Sequence, residues 1–287
     1  MSDRQGPEEP LEGWVRLAQR GDRSALESVV RAVQPQVHGL ALRFLWHPED
    51  AEDATQEIMV RILTKLARFR GRSAFRTWAF QVACNTLRTL RRQRMERPEM
   101  SLESFAAELG TGLSDEPVAT TPPVEDAVLW EEVKIGCTTA MLLCLDREHR
   151  LAYILGEILE LDHRTAAAAL DVSPDAYRQR LSRARAGIVG LVKARCGLAH
   201  PENPCRCRRR VATAISGGHL DPAHLLFATS AEQARRFPQV LEEIRRLEEF
   251  QRAAALQRSH VLPAPSEEFV HWLRALIPGM ARGEPRH

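Results

Sequence analysis

The stretch from Asp162 to Val192 carries side chains that could read the bases of double-stranded DNA. Arginine forks pair with guanine edges or with phosphates, and glutamine and serine can reach base edges in the major groove. The residues of these types on the outer face of one predicted helix are Arg178, Gln179, Ser182, Arg183 and Arg185. Their spacing predicts a basic, hydrogen-bonding surface that could recognise duplex DNA.

Two helices and a tight turn must position these side chains. The run 163–170 is a short helix of mostly small residues, and Asp171 can adopt the left-handed conformation that the corner needs. Ser173 caps a second helix, which Pro174 opens. The buried stripe of this second helix is predicted to be Tyr177, Leu181, Ala184, Ile188 and Leu191. The arrangement is typical of a helix-turn-helix motif, and an ordinary hairpin of two helices in a bundle is the alternative.

Charge is strongly segregated along the chain, although its 287 residues carry a formal net charge of only +2. Nine arginines lie between Arg68 and Arg97, against the single acid Glu96. The stretch 98–132 then holds nine acids and no lysine or arginine, and the chain is basic again over 164–210. Two basic blocks separated by an acidic spacer predict two polyanion-binding surfaces on one tether, with solvated helix faces as the alternative.

The composition indicates a folded chain. Hydrophobic residues make up 44% of it and charged residues 27%, which is enough to bury real cores in one large or two to three small domains. No run reaches the roughly 18 apolar residues of a membrane span, and residues 1–10 resemble no signal peptide. Six cysteines are too sparse for a disulfide scaffold, so we expect a cytoplasmic protein.

Apolar residues recur at helical spacing throughout and no strand-like alternation occurs, so the predicted fold class is all-α. A first helical run is predicted to end at Pro35, a second to follow Pro48, and a third to extend from Ser73 to Arg94. Two small domains, a linker and an extension are expected. They are a helical bundle over 1–97, an acidic flexible linker over 98–127 with one short helical turn, a helix-turn-helix domain over 128–195, and a mostly helical C-terminal extension over 196–287.

A cysteine-containing loop opens the C-terminal extension. Three thiols and an imidazole fall within twelve residues, at Cys196, His200, Cys205 and Cys207. Zinc takes four such ligands in a tetrahedron, but this spacing departs from paired C-x-x-C knuckles. Three interpretations stay open, namely a zinc site, a thiol redox switch and inert thiols.

Two parts of the chain resemble regions of bacterial sigma factors. The acidic run Asp50–Glu57, the stretch Phe69–Trp78 and the trio Ala83–Asn85 together resemble region 2 of the extracytoplasmic-function branch of the sigma-70 family. Leu145–Arg185 looks like region 4 of that family, and the acidic linker fits the segment that takes the place of its region 3. Because order, spacing and charge agree, the resemblance covers roughly residues 12–195.

The resemblance implies partners and the residues that would bind them. Region 2 would dock on the β′ clamp of core RNA polymerase through Asp50, Asp53, Gln56 and Glu57, of which the three acids also share one face of the predicted helix. Region 4 would contact the β flap and read the −35 promoter element through the five polar residues of the second helix. Region 2 would melt and hold the −10 element through Arg70, Arg72, Arg76, Asn85, Arg88, Arg91 and Arg92. Phe69, Phe75 and Trp78 could stack on extruded bases, although we expect Phe75 and Trp78 to pack in the core.

The expected function is promoter-specific initiation of transcription, with no catalysis by the chain itself and no required cofactor. The sequence has no phosphate-binding glycine loop, no H-E-x-x-H motif and no nucleophile elbow. One alternative is a stand-alone helix-turn-helix regulator, which has no use for the acidic face of Asp50–Glu57. Another is an interaction protein whose basic faces bind RNA or acidic proteins.

Three further expectations concern regulation and specificity. An anti-sigma factor is a possible partner, and no membrane contact is expected. The amphipathic helices of the extension are expected to fold back on the rest of the chain and to modulate its access to polymerase or promoter. Family members often carry Gly-Thr-Val-Lys-Ser-Arg where this chain has Asp175–Arg180, so the −35 sequence preference of relatives does not transfer.

Overall fold

A computed structural model describes residues 9–90, 100–121, 123–228, 230–272 and 275. Over these residues the chain forms helices and no strand, apart from an isolated bridge between Cys196 and Cys205. The predicted all-α class is therefore confirmed. No helix within the described part combines the length and the hydrophobicity that a bilayer span requires.

The first bundle consists of α1 (Glu9–Gln19), α2 (Arg23–Leu45), α3 (Pro48–Lys65) and α4 (Phe75–Thr89), with a short 3-10 turn at Leu66–Arg68. The Asp22 side chain caps α2 by accepting the Ala25 N–H at 2.9 Å. Pro48 stands in the first turn of α3, where its missing N–H costs nothing. Residues 91–99, with the predicted DNA contacts Arg91 and Arg92, lie outside the described residues.

The prediction that the first helical run ends at Pro35 was wrong, because α2 continues through that proline to Leu45. A proline inside a helix deprives the carbonyl four residues earlier of its partner. Here that residue is Arg31, which is exposed, so water can satisfy its carbonyl. The continuous helix is stabilised by apolar side chains that it buries on both sides of the proline, among them Val33 and Val37.

The middle of the chain contains α5 (Leu102–Leu109), α6 (Asp126–Leu143), α7 (Arg147–Tyr153), α8 (His163–Leu170) and α9 (Pro174–Arg195). A π-helical turn, Ile154–Ile158, continues α7. Ser101 caps α5 in a capping box with Ser104. The helix α5 packs against α9 and buries Phe105 and Leu109.

The C-terminal extension adds α10 (Cys207–Ser216), α11 (Ala231–Arg246) and α12 (Glu249–Arg258). A further helical stretch begins at residue 267, where Ser266 accepts the Phe269 N–H at 3.2 Å. Both α10 and α11 pack on α6, and α12 packs on α9. The extension therefore folds back on the chain that precedes it, as the sequence predicts.

One apolar core joins the first bundle, the middle helices and the extension, from Leu11 in α1 to Phe269, and a smaller separate core joins α6 to α10. The first bundle packs directly on the helix-turn-helix, mainly through α4 against α8. Arg150 is only 3% exposed and donates to the carbonyls of Leu142 and Leu145 and, across this interface, to that of Phe44 at 2.9 Å. Since helices pack across every expected boundary, the division into domains stays a prediction.

Candidate nucleic-acid interface

The turn between α8 and α9 has the geometry that a helix-turn-helix requires. Asp162 caps α8 by accepting the N–H groups of Arg164 and Thr165 at 2.9 and 3.0 Å. Asp171 takes the left-handed conformation, with φ of 55°, at the corner. Ser173 accepts the Ala176 N–H at 3.2 Å and so caps α9. Each local feature that the sequence predicts at this corner is present.

The helix α9 separates a buried stripe from a polar face. The stripe consists of the five predicted residues and Val192. On the opposite face Arg178, Gln179, Ser182 and Arg183 are exposed. Arg185 differs because its Nε donates to Glu157 at 3.1 Å, which ties its guanidinium to the preceding π-helical turn. Four of the five predicted base-reading side chains are therefore exposed on one helix face.

Gly156 is a residue of this site that the sequence analysis missed. A β-carbon on Gly156 would stand 2.3 Å from the Tyr177 hydroxyl oxygen and 3.0 Å from a Leu181 methyl carbon. Tyr177 is fully buried, so its hydroxyl has no solvent-filled space to move into. Its burial also raises the pKa of its phenol. An isolated glycine inside a helical pattern is the signal that could have revealed this close approach.

The second basic surface lies at the start of α4 and in the loop before it. Phe69, Phe75 and Trp78 form an aromatic trio with ring centroids 5.2–5.3 Å apart. Phe75 is fully buried, whereas Phe69 and Trp78 are partly exposed. Of the residues predicted to contact the −10 element, Arg70, Arg72, Arg76 and Asn85 are exposed near the trio or further along α4.

Arg88, also predicted to contact the −10 element, instead lies at the interface between the two bundles. Its Nε and Nη2 donate to the two carboxylate oxygens of Glu148 at 2.7 and 3.1 Å, and Nη2 also donates to the Leu170 carbonyl at 2.9 Å. Arg180 of α9 pairs with the same carboxylate. Glu148 thus joins an arginine of each basic surface. No sequence pattern indicates these ion pairs, because the partners of Glu148 are 60 and 32 residues away in the chain.

The predicted acidic face lies on α3. Asp53 is exposed, while Asp50, Gln56 and Glu57 are half-buried. Glu57 pairs with Arg61 one turn later. The neighbouring Glu52, which was not predicted to have a role, accepts two hydrogen bonds from Ser266 of the extension. The face is therefore anionic and bordered by the C-terminal extension.

The cysteine loop brings together a different set from the one predicted. Cys196, Cys205 and Cys207 line one cavity of about 20 Å³ with Cys137 of α6, and His200 is not part of that lining. Burial raises the pKa of all four thiols. In the described part of the chain no group of three or more His, Cys, Asp or Glu residues is arranged to hold a metal ion.

Comparisons with known proteins identify relatives of this chain. The Sigma-70 region 2 family matches residues 29–97. The RNA polymerase sigma-H factor of Pseudomonas aeruginosa is 30% identical over 175 residues, which cover 61% of this chain and 89% of that protein. The ECF RNA polymerase sigma-E factor of Escherichia coli is 30% identical over 183 residues, which cover 62% of this chain and 92% of that protein.

Among solved structures, the sigma factor RpoE of Bartonella quintana, co-crystallised with the anti-sigma factor NepR, is similar over 58% of this chain and 96% of that chain, with a TM-score of 0.42 and 20% identity. The two sequence relatives are matched over about nine-tenths of their own length. The chain therefore belongs to the sigma-70 family, as an RNA polymerase sigma factor of the extracytoplasmic-function group.

Proposed function

We propose that the chain binds core RNA polymerase and directs it to promoters whose −35 element is read by α9. The observation that carries this proposal is the exposed row of Arg178, Gln179, Ser182 and Arg183 on a fully capped helix-turn-helix. Because these side chains are long or polar and leave one helix face together, they could enter a major groove as a unit.

The acidic face of α3 is proposed as the surface that docks on the β′ clamp. Asp53 is exposed there, with Asp50, Gln56 and Glu57 beside it. An anionic helix face attracts a cationic partner surface and accelerates its encounter. The helix-turn-helix domain would contact the β flap at the same time, which would fix the spacing between the two promoter elements.

The −10 element is proposed to meet the loop before α4 and the outer side of that helix. Arg70, Arg72 and Arg76 are exposed and could neutralise phosphates, and Asn85 could bond a base edge. Phe69 and Trp78 are partly exposed, so either ring could stack on an unpaired base. Arg88 could join this surface only after it releases Glu148.

The role proposed here is that of an initiation factor in the cytoplasm, with polymerase rather than this chain performing the chemistry. We propose that it requires no cofactor, and in particular no zinc at the cysteine loop. An anti-sigma factor remains a proposed regulator. Treatment of the purified chain with a chelator should then leave promoter-specific transcription unchanged, whereas a loss of transcription that added zinc restores would contradict this part of the proposal.

The experiment that tests the function is run-off transcription with purified core RNA polymerase on genomic fragments. Asp53→Arg should abolish specific transcripts because it reverses the charge at the docking face. The double variant Arg178→Ala, Arg183→Ala should abolish them through loss of −35 contacts. Glu116→Arg and Arg236→Ala alter exposed charges elsewhere and serve as matched controls. Specific binding of DNA without polymerase, unaffected by Asp53→Arg, would favour a stand-alone regulator.

A further inference from the structure

The last continuous stretch of the extension that the structure describes lies on the first bundle beside the acidic face of α3. We call this segment, residues 261–272, the strap. The Ser266 N–H and hydroxyl donate to the two carboxylate oxygens of Glu52 at 2.6 and 2.7 Å. Phe269 is 6% exposed, and its ring centroid lies 6.5 Å from that of His38 in α2. The strap is thus held by an apolar anchor and by charge-assisted hydrogen bonds.

A second part of the extension, the loop 217–228, borders the same face from the other side. The Glu132 carboxylate accepts the N–H groups of Leu226, Phe227 and Ala228 at 2.7–2.9 Å, which fixes the loop on α6. The Phe227 ring packs edge-on against Trp46 with centroids 5.3 Å apart. The loop then faces Glu49, Asp50 and Asp53 across a cavity of about 600 Å³.

The strap and the loop both border the acidic face of α3, and Asp53 on that face is exposed. On a helical wheel with 100° per residue, Glu52 and Asp50 lie on opposite edges of the face that Asp53 centres. The strap contacts the Glu52 edge, and the loop lies across the cavity from Glu49, Asp50 and Asp53. An α-helix with its side chains is about 10–12 Å wide. A helix of a partner that seats on Asp53 would therefore meet extension residues on both flanks.

The extension is also fastened to the helix-turn-helix. Arg258 at the end of α12 donates to the Glu157 carbonyl of the π-helical turn at 2.6 Å. Lys193 of α9 pairs with Glu249 of α12 at 2.8 Å. The extension therefore contacts both the first bundle and the helix-turn-helix, and Glu148 pairs with Arg88 of the first bundle and Arg180 of α9. Release of the strap would remove the contact of the extension with α3.

We propose that the C-terminal extension is an internal competitor of core RNA polymerase, whose strap and loop occupy the flanks of the α3 docking face until they are displaced. The inference rests on the proposed function, because it takes the acidic face as the polymerase-binding surface. When only a small fraction of the molecules is in the binding-competent state, the apparent Kd equals the intrinsic Kd divided by that fraction, so binding is weaker. Weakening the strap should therefore tighten binding to polymerase.

The test measures the affinity of the full-length chain for purified core RNA polymerase by fluorescence anisotropy. The double variant Ser266→Ala, Phe269→Ala should bind about tenfold more tightly than the unaltered chain, which corresponds to about 1.4 kcal/mol. Phe269→Leu, which keeps most of the apolar anchor, should lie between the two. Phe250→Ala removes a phenylalanine that is 54% exposed on α12 and should change nothing.

A peptide of residues 259–272 gives a second measurement, because it supplies the strap as a separate molecule. Added to the double variant, the peptide should weaken polymerase binding again, whereas the same peptide with Phe269→Ala should have no effect. If the unaltered chain and the double variant bind polymerase with equal affinity, the competitor role is wrong and the proposed function stands. If no form of the chain binds polymerase, both are wrong.

Discussion

Gly156→Ala is expected to destabilise the helix-turn-helix, and Gly190→Ala to stabilise it, although both exchange a helical glycine for alanine. At Gly156 the new methyl group would stand 2.3 Å from the Tyr177 hydroxyl oxygen and 3.0 Å from Leu181. At Gly190 an added β-carbon meets nothing within 4 Å, and this residue is exposed inside α9. The pair therefore separates crowding in the core from the intrinsic preference of alanine for helices.

The magnitudes follow from these two environments. An extra methyl in a well-packed core costs about 1–3 kcal/mol, whereas alanine gains about 0.5–1 kcal/mol over glycine in an open helix position. For a chain of this size about 1 kcal/mol moves Tm by roughly 2 °C. Gly156→Ala should thus lower Tm by about 2–6 °C, and Gly190→Ala should raise it by about 1–2 °C.

Differential scanning calorimetry on the two full-length variants and the unaltered chain checks both signs. Binding of a −35 duplex should weaken only in Gly156→Ala, because α9 must shift to accommodate the methyl group. Equal Tm values for the two variants, or a more stable Gly156→Ala, would refute the close approach of α9 to the π-helical turn.

Three further predictions concern buried or bridging groups. Glu132→Leu should lower the free energy of unfolding, measured in urea, by about 3 kcal/mol or more, because three buried backbone N–H groups lose their acceptor. Glu132→Gln keeps one acceptor oxygen and should lower it less. Burial lowers the pKa of His38 and His260 below 6.5, so the unfolded chain binds more protons than the folded chain near that pH. The free energy of unfolding should therefore be full above pH 6.5 and fall below it, by up to about 1.4 kcal/mol per pH unit for each imidazole. His260→Asn should make this pH dependence less steep, and urea midpoints between pH 5.5 and 7.5 measure it. Glu148→Ala should lower the free energy of unfolding by about 1 kcal/mol at low salt and by less in 1 M NaCl, because Glu148 is partly exposed and salt screens its ion pairs. An equal loss at both salt concentrations would contradict an electrostatic role for Glu148.

The helix-turn-helix is the element that sequence reasoning predicted most fully. Its cap at Ser173, the left-handed Asp171 and the buried stripe of α9 are set by interactions within a few residues of one another. Such local preferences are visible in a single sequence. Pro35 shows the limit of a local rule, because burial on both sides of the proline outweighs one missing hydrogen bond.

The cysteine loop shows a different limit. Its spacing brought His200 into the predicted set, whereas the fold places Cys137 of α6 beside the three other thiols. Cys137 lies 59 residues before Cys196 in the chain, and no pattern of spacing connects them. The packing of α10 on α6 decides which side chains share the cavity.

Patterns along the chain were enough to predict that it is helical, where α9 begins, that polar side chains occupy its outer face, and that acidic and basic stretches are segregated. The pairing of Arg88 with Glu148, the need for a glycine at position 156 and the contact of the strap with Glu52 were visible only once the helices were packed. The two groups of features differ in how far apart in the chain the interacting residues lie. Helix periodicity, capping and charge are properties of neighbours in the chain, whereas these contacts join residues that only the packing of helices brings together.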